Sequence, residues 1–352
     1  MSAAQSARPR PWLRGLRYSI YLLAVVMLGS EVLLRVFDPL GIWYLYEIHR
    51  YSKEMMVADH WFSYIHEPGI FDTVQGVGVS INSHGLRGPE FSPDKPAGTI
   101  RLMILGDSVV FGWGVEEAAT FPRLLQAEMD RSGTPVEIIA AGVGSWNTRT
   151  QYEWFRRRGV DLAPDMLLLL IVENDTDPKR EGYTEVSRAE LLPGKKDRSL
   201  FAEGFEEFWR FASRRSYVAA HLKYLWEQHL SAGQDELVDA DSPQWRDARI
   251  ALDGLIGLCR ERGIELVVYL NGSDRRVRAN NILTLYQDHL IARGIRPLTF
   301  PEALEQAGLR NSAVDSHLNA RGHEILAAAM LETVAPRLAA KRPEPTSGDE
   351  SH

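Results

Sequence analysis

Apolar positions follow two rhythms along this chain, and each predicts a different kind of element. From residue 100 onward, short continuous apolar runs alternate with stretches of helical spacing. Ile100–Leu105 (IRLMIL) predicts a strand ending at Gly106, and Val136–Ala140 predicts a second. Met166–Val172 (MLLLLIV) is apolar on both faces, as a central parallel strand must be, and Glu265–Leu270 (ELVVYL) and Pro297–Phe300 predict two more. Between them Thr120–Asp130, Thr148–Arg158, Pro243–Arg262, Leu283–Arg293 and Asn319 to about Leu338 carry the spacing of amphipathic helices. Such alternation predicts an α/β domain, a parallel sheet covered by helices on both faces.

The N-terminus reads differently. Tyr18–Leu34 (YSIYLLAVVMLGSEVLL) is almost unbroken in its apolarity, with Ser19, Ser30 and Glu31 as its clearly polar members. As a helix it spans roughly 26 Å at about 1.5 Å per residue, and extension to Phe37 reaches the ~30 Å of a bilayer core. Arg35 can then snorkel at the far edge. Arg8, Arg10, Arg14 and Arg17 precede or open the run and no acid stands among them, which places the N-terminus in the cytoplasm. The expectation is a cytoplasmic basic tail over 1–17 and an uncleaved signal anchor over 18–37, with the remainder outside. A cleaved signal peptide and a buried amphipathic helix compete with that reading. No A-x-A site follows the run, and Ile20–Leu28 is apolar on every face.

Residues 38–79 form an aromatic-rich juxtamembrane segment containing Trp43, Tyr44, Tyr46, Tyr51, Trp61, Phe62 and Tyr64, suited equally to a membrane interface and to ordinary packing. The domain expected over 80–340 is interrupted at about 176–242. There Phe201, Phe205, Phe208, Trp209 and Ala212 share one helical face, and Val218, Leu222, Leu225 and Trp226 share another. Two helices packed on the sheet, or a cap shaping substrate choice, both fit. The polar end, 341–352, is expected to be disordered.

Composition narrows the classes. The chain has 352 residues, 45% of them hydrophobic and 25% charged, which is ordinary globular usage. Lys and Arg total 40 against 47 Asp and Glu, a net charge of −7 that argues against a nucleic-acid partner. The single cysteine, Cys259, excludes an intramolecular disulfide and a Cys-rich zinc site. A mean hydropathy of −0.22 looks soluble, but it averages the N-terminal run with polar ends.

Open parallel sheets place their ligands at the carboxyl ends of the strands. Those ends read Gly106-Asp107-Ser108, Ala141-Gly142-Val143-Gly144 and Glu173-Asn174-Asp175, with Val314-Asp315-Ser316-His317-Leu318-Asn319 before the last helix. Each alone is equally a turn or a helix cap. Together they supply what acyl transfer needs: a hydroxyl, an imidazole to take its proton, a carboxylate to orient the imidazole, and amide donors for an oxyanion. His323 is a second imidazole, but it falls a turn and a half into the final helix. No G-x-S-x-G occurs, so the nucleophile elbow of α/β-hydrolases is absent. No H-E-x-x-H or Cys pair suggests a metal, and the pairs Gly76/Gly78 and Gly112/Gly114 lack the third glycine of a dinucleotide loop. No cofactor is expected.

The order Ser108, Gly142, Asn174, His317, in the stretches ILGDSVVFGWGV, AAGVGSWNT, IVENDTDP and VDSHLNARGHEILA, resembles the SGNH or GDSL-type hydrolase superfamily. INSHGLRGPEF followed by IRLMILGDS is similar to a group of its membrane-anchored bacterial members. The resemblance covers roughly 80–335. It implies a three-layer α/β/α sandwich of flavodoxin-like type, Ser108 as nucleophile, His317 as base and Asp315 as triad acid. It also implies an oxyanion hole made by the Ser108 N–H, Gly142 and Asn174. Two positions depart from the family pattern: Val172 stands where the third motif begins with Gly, and Val314 where an Asp usually stands three before the His.

The implied activity is that of an extracytoplasmic serine esterase, anchored in the cytoplasmic membrane and cleaving an acyl ester, with a cell-envelope glycan as the implied substrate. An O-acyltransferase acting on polysaccharide is the alternative within the same chemistry. A non-catalytic anchored binding or scaffold protein is the alternative outside it.

Overall fold

The computed structural model describes residues 11–176, 208–209, 211–213, 215–231, 238 and 240–341. Phe201 and Phe205 of the expected first insertion helix lie outside them, as do residues 1–10 and the end of the chain from 342. The chain divides into two compact units, Met1–Tyr46 with Gly194–Asp235, and Glu47–Pro193 with Glu236–His352.

In the first unit, helix α1 (Pro11–Phe37) contains a 24-residue stretch, Arg14–Phe37, in which an 18-residue window has a mean hydropathy of 2.0 and none of it is buried. It is long and apolar enough to cross a membrane. Glu31 near its end accepts hydrogen bonds from the backbone N–H groups of Tyr217 (2.9 Å) and Val218 (3.1 Å) and from Ser216 Oγ (2.8 Å). The two backbone groups are orphan donors at the start of the insertion helix α6 (Tyr217–Ser231), so a carboxylate on α1 caps a helix nearly two hundred residues away. Leu222, Leu225 and Trp226 of that helix are exposed.

The second unit opens with Glu47–Glu54 of helix α2 (Trp43–Glu54) and two short hairpins, β1 (Met56–Asp59) with β2 (Ser63–His66) and β3 (Phe71–Val74) with β4 (Val77–Ser80). Much of the aromatic segment 38–79 therefore folds with the sheet domain. The sheet itself has five parallel strands, β5 (Ile100–Gly106), β6 (Val136–Gly142), β7 (Met166–Ile171), β8 (Glu265–Leu270) and β9 (Leu298–Thr299), in the order β6-β5-β7-β8-β9. This is the flavodoxin-like order.

Period-2 alternation sorts the strand residues into two cores. Met103, Leu105, Leu167, Leu169 and Ile171 pack against Trp154, Leu252, Leu255 and Leu290. Those partners sit on α5 (Thr148–Trp154), α7 (Pro243–Arg262) and α9 (Asn281–Ala292). Leu102, Ile104, Leu168 and Leu170 face Phe121, Leu125, Leu326 and Met330. These belong to α4 (Phe121–Arg131) and α10 (Ala320–Ala339). The result is the expected three-layer α/β/α sandwich. Helix α3 (Ser108–Phe111) and helix α8 (Asp274–Ala279) complete the unit.

One expected helix is broken. Thr148–Arg158 begins as α5 but widens into a π-turn over Phe155–Gly159, where a side chain on Gly159 would collide with Phe155 and Trp154.

Candidate active site

Ser108 opens a helix of one turn that sits directly on the ends of two strands. Gly106 and Gly142 are opposite one another in the β5–β6 register. A Cβ on Gly106 would lie 2.5 Å from Val110 Cγ2, and one on Gly142 would lie 2.5 Å from the Phe111 nitrogen. Only glycine lets α3 approach so closely. The helix is held at both ends. Asp107 is its N-cap, accepting from Val109 N at 3.0 Å, so the cap is Asp107 and not Ser108. Burial raises the Asp107 carboxyl above its usual range.

At the other end Arg87 donates to the carbonyls of Phe111 (3.0 Å), Gly112 (2.7 Å) and Val115 (2.7 Å), spending its charge where the last carbonyls of the turn converge. Burial pulls the Arg87 guanidinium down to about 10. Arg87 lies within INSHGLRGPEF, a stretch the sequence singled out without giving this residue a task.

The loop before α10 brings the other groups to Ser108. His317 Nε2 is 2.8 Å from Ser108 Oγ, and His317 Nδ1 is 2.6 Å from Asp315 Oδ1. A carboxylate only accepts, so Nδ1 carries the proton and Nε2 presents its lone pair to the serine hydroxyl. Asp315 is fully buried, and its second oxygen accepts from Asn311 Nδ2 at 3.1 Å. The same Asn311 amide donates to the Trp113 carbonyl at 3.0 Å, tying the histidine loop to the segment after α3. Asn311 carried no sequence signal. An Asp two residues before the His reaches it because the Asp315 backbone is turned by Ser312, whose Oγ accepts from Asp315 N at 2.9 Å.

Asn174 lies in the turn Glu173–Thr176, just past β7, and its side chain is exposed with no hydrogen bond among the described residues. Asp175 beside it is buried and serves the turn, its Oδ2 accepting from Val172 N at 3.3 Å and its Oδ1 from Gln151 Nε2 at 3.3 Å. Burial, reinforced by the nearby Asp107 charge, holds the Asp175 carboxyl well above the usual carboxylate range. Gly142 ends β6, the neighbour of β5 on the opposite side from β7. The carboxyl ends of β6, β5 and β7 thus carry Gly142, Ser108 and Asn174 side by side.

His323 is elsewhere. It is buried in α10, stacked on Phe121 at 5.8 Å, and its Nδ1 accepts the Phe121 N–H at 3.1 Å, capping α4 from outside. Burial drives its pKa down from 6.5 to about 3. The unfolded chain therefore binds a proton near pH 6.5 that the folded chain refuses. The stability tied to the neutral ring is present above about pH 6.5 and is lost as pH falls toward 3. Between about pH 6.5 and 5 the wild type should lose roughly 2 kcal/mol that His323→Gln does not. Urea unfolding in detergent at the two pH values checks this, and parallel losses in both chains would reject it.

Among the described residues no group of three or more His, Cys, Asp and Glu is arranged to hold a metal ion.

No family model matches the chain, and no curated protein does. Among solved structures it is similar to the psychrotrophic esterase EstA from Pseudoalteromonas sp., at 11% identity and a TM-score of 0.41, over 68% of this chain and 98% of that one. A lipase/acylhydrolase from Enterococcus faecalis shows 12% identity and a TM-score of 0.37, over 70% of this chain and all of the other. A family 3 carbohydrate esterase from Clostridium thermocellum shows 11% identity and a TM-score of 0.40, over 70% and 100%.

Proposed function

We propose that this chain is a membrane-anchored serine esterase of the SGNH type. The observation that carries the reading is the hydrogen-bonded series Ser108 Oγ, His317 Nε2, His317 Nδ1, Asp315 Oδ1, with links of 2.8 and 2.6 Å, at the carboxyl edge of a parallel sheet. His317 takes the Ser108 proton as Oγ attacks an ester carbonyl, and Asp315 steadies the resulting imidazolium. The negative charge on the carbonyl oxygen is met by the Ser108 N–H, by Gly142 and by the Asn174 amide. His317 returns its proton to the departing alcohol, leaving an acyl-Ser108. Water, activated in turn by His317, attacks the acyl carbon, and the acid leaves as Oγ recovers its proton.

The helix over Arg14–Phe37 supports an anchor, and the arginines at its start support a cytoplasmic N-terminus with the sheet domain outside the cytoplasmic membrane. An acylated envelope glycan is the substrate class that this placement favours.

The test is hydrolysis of an aryl acetate by the full chain in detergent, with and without an added oligosaccharide acceptor. Release of acetate to water supports the esterase, and preferential transfer to sugar makes the same site an O-acyltransferase. No turnover by well-folded chain would leave an anchored binding protein. Asn174→Ala should lower kcat by about 10²–10³ with little change in KM. A loss confined to KM would move Asn174 from the oxyanion to substrate binding.

A further inference from the structure

The turn between β6 and α5 is gripped from outside by residues of the aromatic segment. Tyr51 on α2 is almost wholly buried and His66 on β2 wholly so. His66 Nδ1 lies 3.2 Å from the Gly85 carbonyl, which can only accept, so Nδ1 bears the proton and Nε2 is a bare acceptor. The Tyr51 hydroxyl, 2.6 Å away, donates to that Nε2. Its oxygen in turn accepts the Gly144 N–H at 3.0 Å.

The Gly144 carbonyl is held as well, by the Tyr64 hydroxyl at 3.2 Å, and Trp146 Nε1 donates to the Tyr64 carbonyl at 3.1 Å. A Cβ on Gly144 would sit 2.9 Å from the Tyr51 ring, so the close approach requires glycine. Burial lowers the His66 pKa to about 4, which keeps the ring neutral and able to accept at neutral pH. The same tyrosine ring packs 5.4 Å from Phe111 of the nucleophile helix and edge-on to Trp113 at 5.0 Å. Trp113 lies 6.0 Å from His317.

We propose that Tyr51 and His66 are positioning residues for acyl transfer. Their relay, Gly144 N–H to Tyr51 O–H to His66, fixes the turn that follows Gly142 and so holds Gly142 in place beside Ser108 for the carbonyl oxygen bound there. The inference rests on the esterase reading and extends it to residues far in sequence from the four strand-end motifs. It also commits the Gly144 N–H to Tyr51, so Gly144 itself is not an oxyanion donor.

Tyr51→Phe removes the hydroxyl and keeps the ring. In the full chain it should lower kcat about tenfold, with KM within about twofold, and slow labelling by a fluorophosphonate probe by the same factor. Amide hydrogen exchange over residues 142–147 should accelerate. His66→Leu should match Tyr51→Phe, whereas His66→Gln, whose amide oxygen can accept from Tyr51, should recover most of the rate. A Tyr51→Phe chain that loses only thermal stability, with kcat and turn exchange unchanged, overturns the proposal. So does a His66→Gln chain as slow as His66→Leu when both fold. A wild-type chain inert to the probe would refute the esterase reading instead. The exchange measurement, which needs no turnover, then decides separately whether the clamp exists.

Discussion

Ser108→Ala should reduce aryl acetate turnover by on the order of 10⁶ and abolish labelling by a fluorophosphonate probe. The size follows from what the variant lacks. Without Oγ there is no atom to carry the acyl group, and His317 has no hydroxyl to activate, so the groups that act as a unit fail together. Only the oxyanion donors and the bound geometry would remain, worth about 10³–10⁴ over water. The fold should survive. Ser108 does not cap its helix, since Asp107 accepts from Val109 N, and alanine is a better helix former than serine. The Asp107 carboxylate loses only its 3.2 Å contact with the hydroxyl. Circular dichroism and the unfolding midpoint of the variant should therefore match wild type, which separates lost chemistry from lost structure. A labelled alanine variant would sink the assignment of the nucleophile, and intact turnover would sink the covalent mechanism with it.

The sheet was legible in the sequence because its central strands are apolar on both faces. Met166–Ile171 and Glu265–Leu270 needed no tertiary information to be read as strands. Helix α7 was legible to the residue, from the Ser242 cap and Pro243 at one end to Gly263 at the other. Ser108, Asp315 and His317 could be singled out in the sequence because acyl transfer would need those residue types at strand ends, and the structure joins the three by hydrogen bonds.

The supports of the site were hidden for physical reasons. Tyr51 and Tyr64 sit in an aromatic stretch whose composition suits a membrane interface as well as a core. Tyr64 lies on one of two paired four-residue strands, too short for a period-2 signal, and Tyr51 on the short helix α2; only the folded chain shows both buried. Arg87 and Asn311 act on backbone carbonyls and on a buried carboxylate, and neither task leaves a motif. The π-turn after α5 was invisible because helical spacing does not distinguish a turn of four residues from one of five. Leu222, Leu225 and Trp226 had the spacing of a packed face, yet spacing cannot say whether anything covers it.

His317→Ala should cost about as much as loss of the serine, again on the order of 10⁶ in kcat, and should change the pH profile as well as the rate. The imidazole can take the Ser108 proton only while Nε2 is bare, so turnover by the wild type should have an acid limb. The Asp315–His317 hydrogen bond fixes the tautomer that makes Nε2 the acceptor, and Asn311 holds Asp315 in turn. In the alanine variant neither buried histidine of the domain can take over. His323 is buried against Phe121 with its Nδ1 engaged by the Phe121 N–H, and His66 is committed to Tyr51 and Gly85. What turnover remains should come from hydroxide and rise steadily with pH, with no plateau. The experiment is kcat and kcat/KM across the pH range for both chains. An acid limb that persists in His317→Ala would mean that a different group titrates in the rate-determining step. The histidine would then be a structural neighbour of Ser108 and not its base.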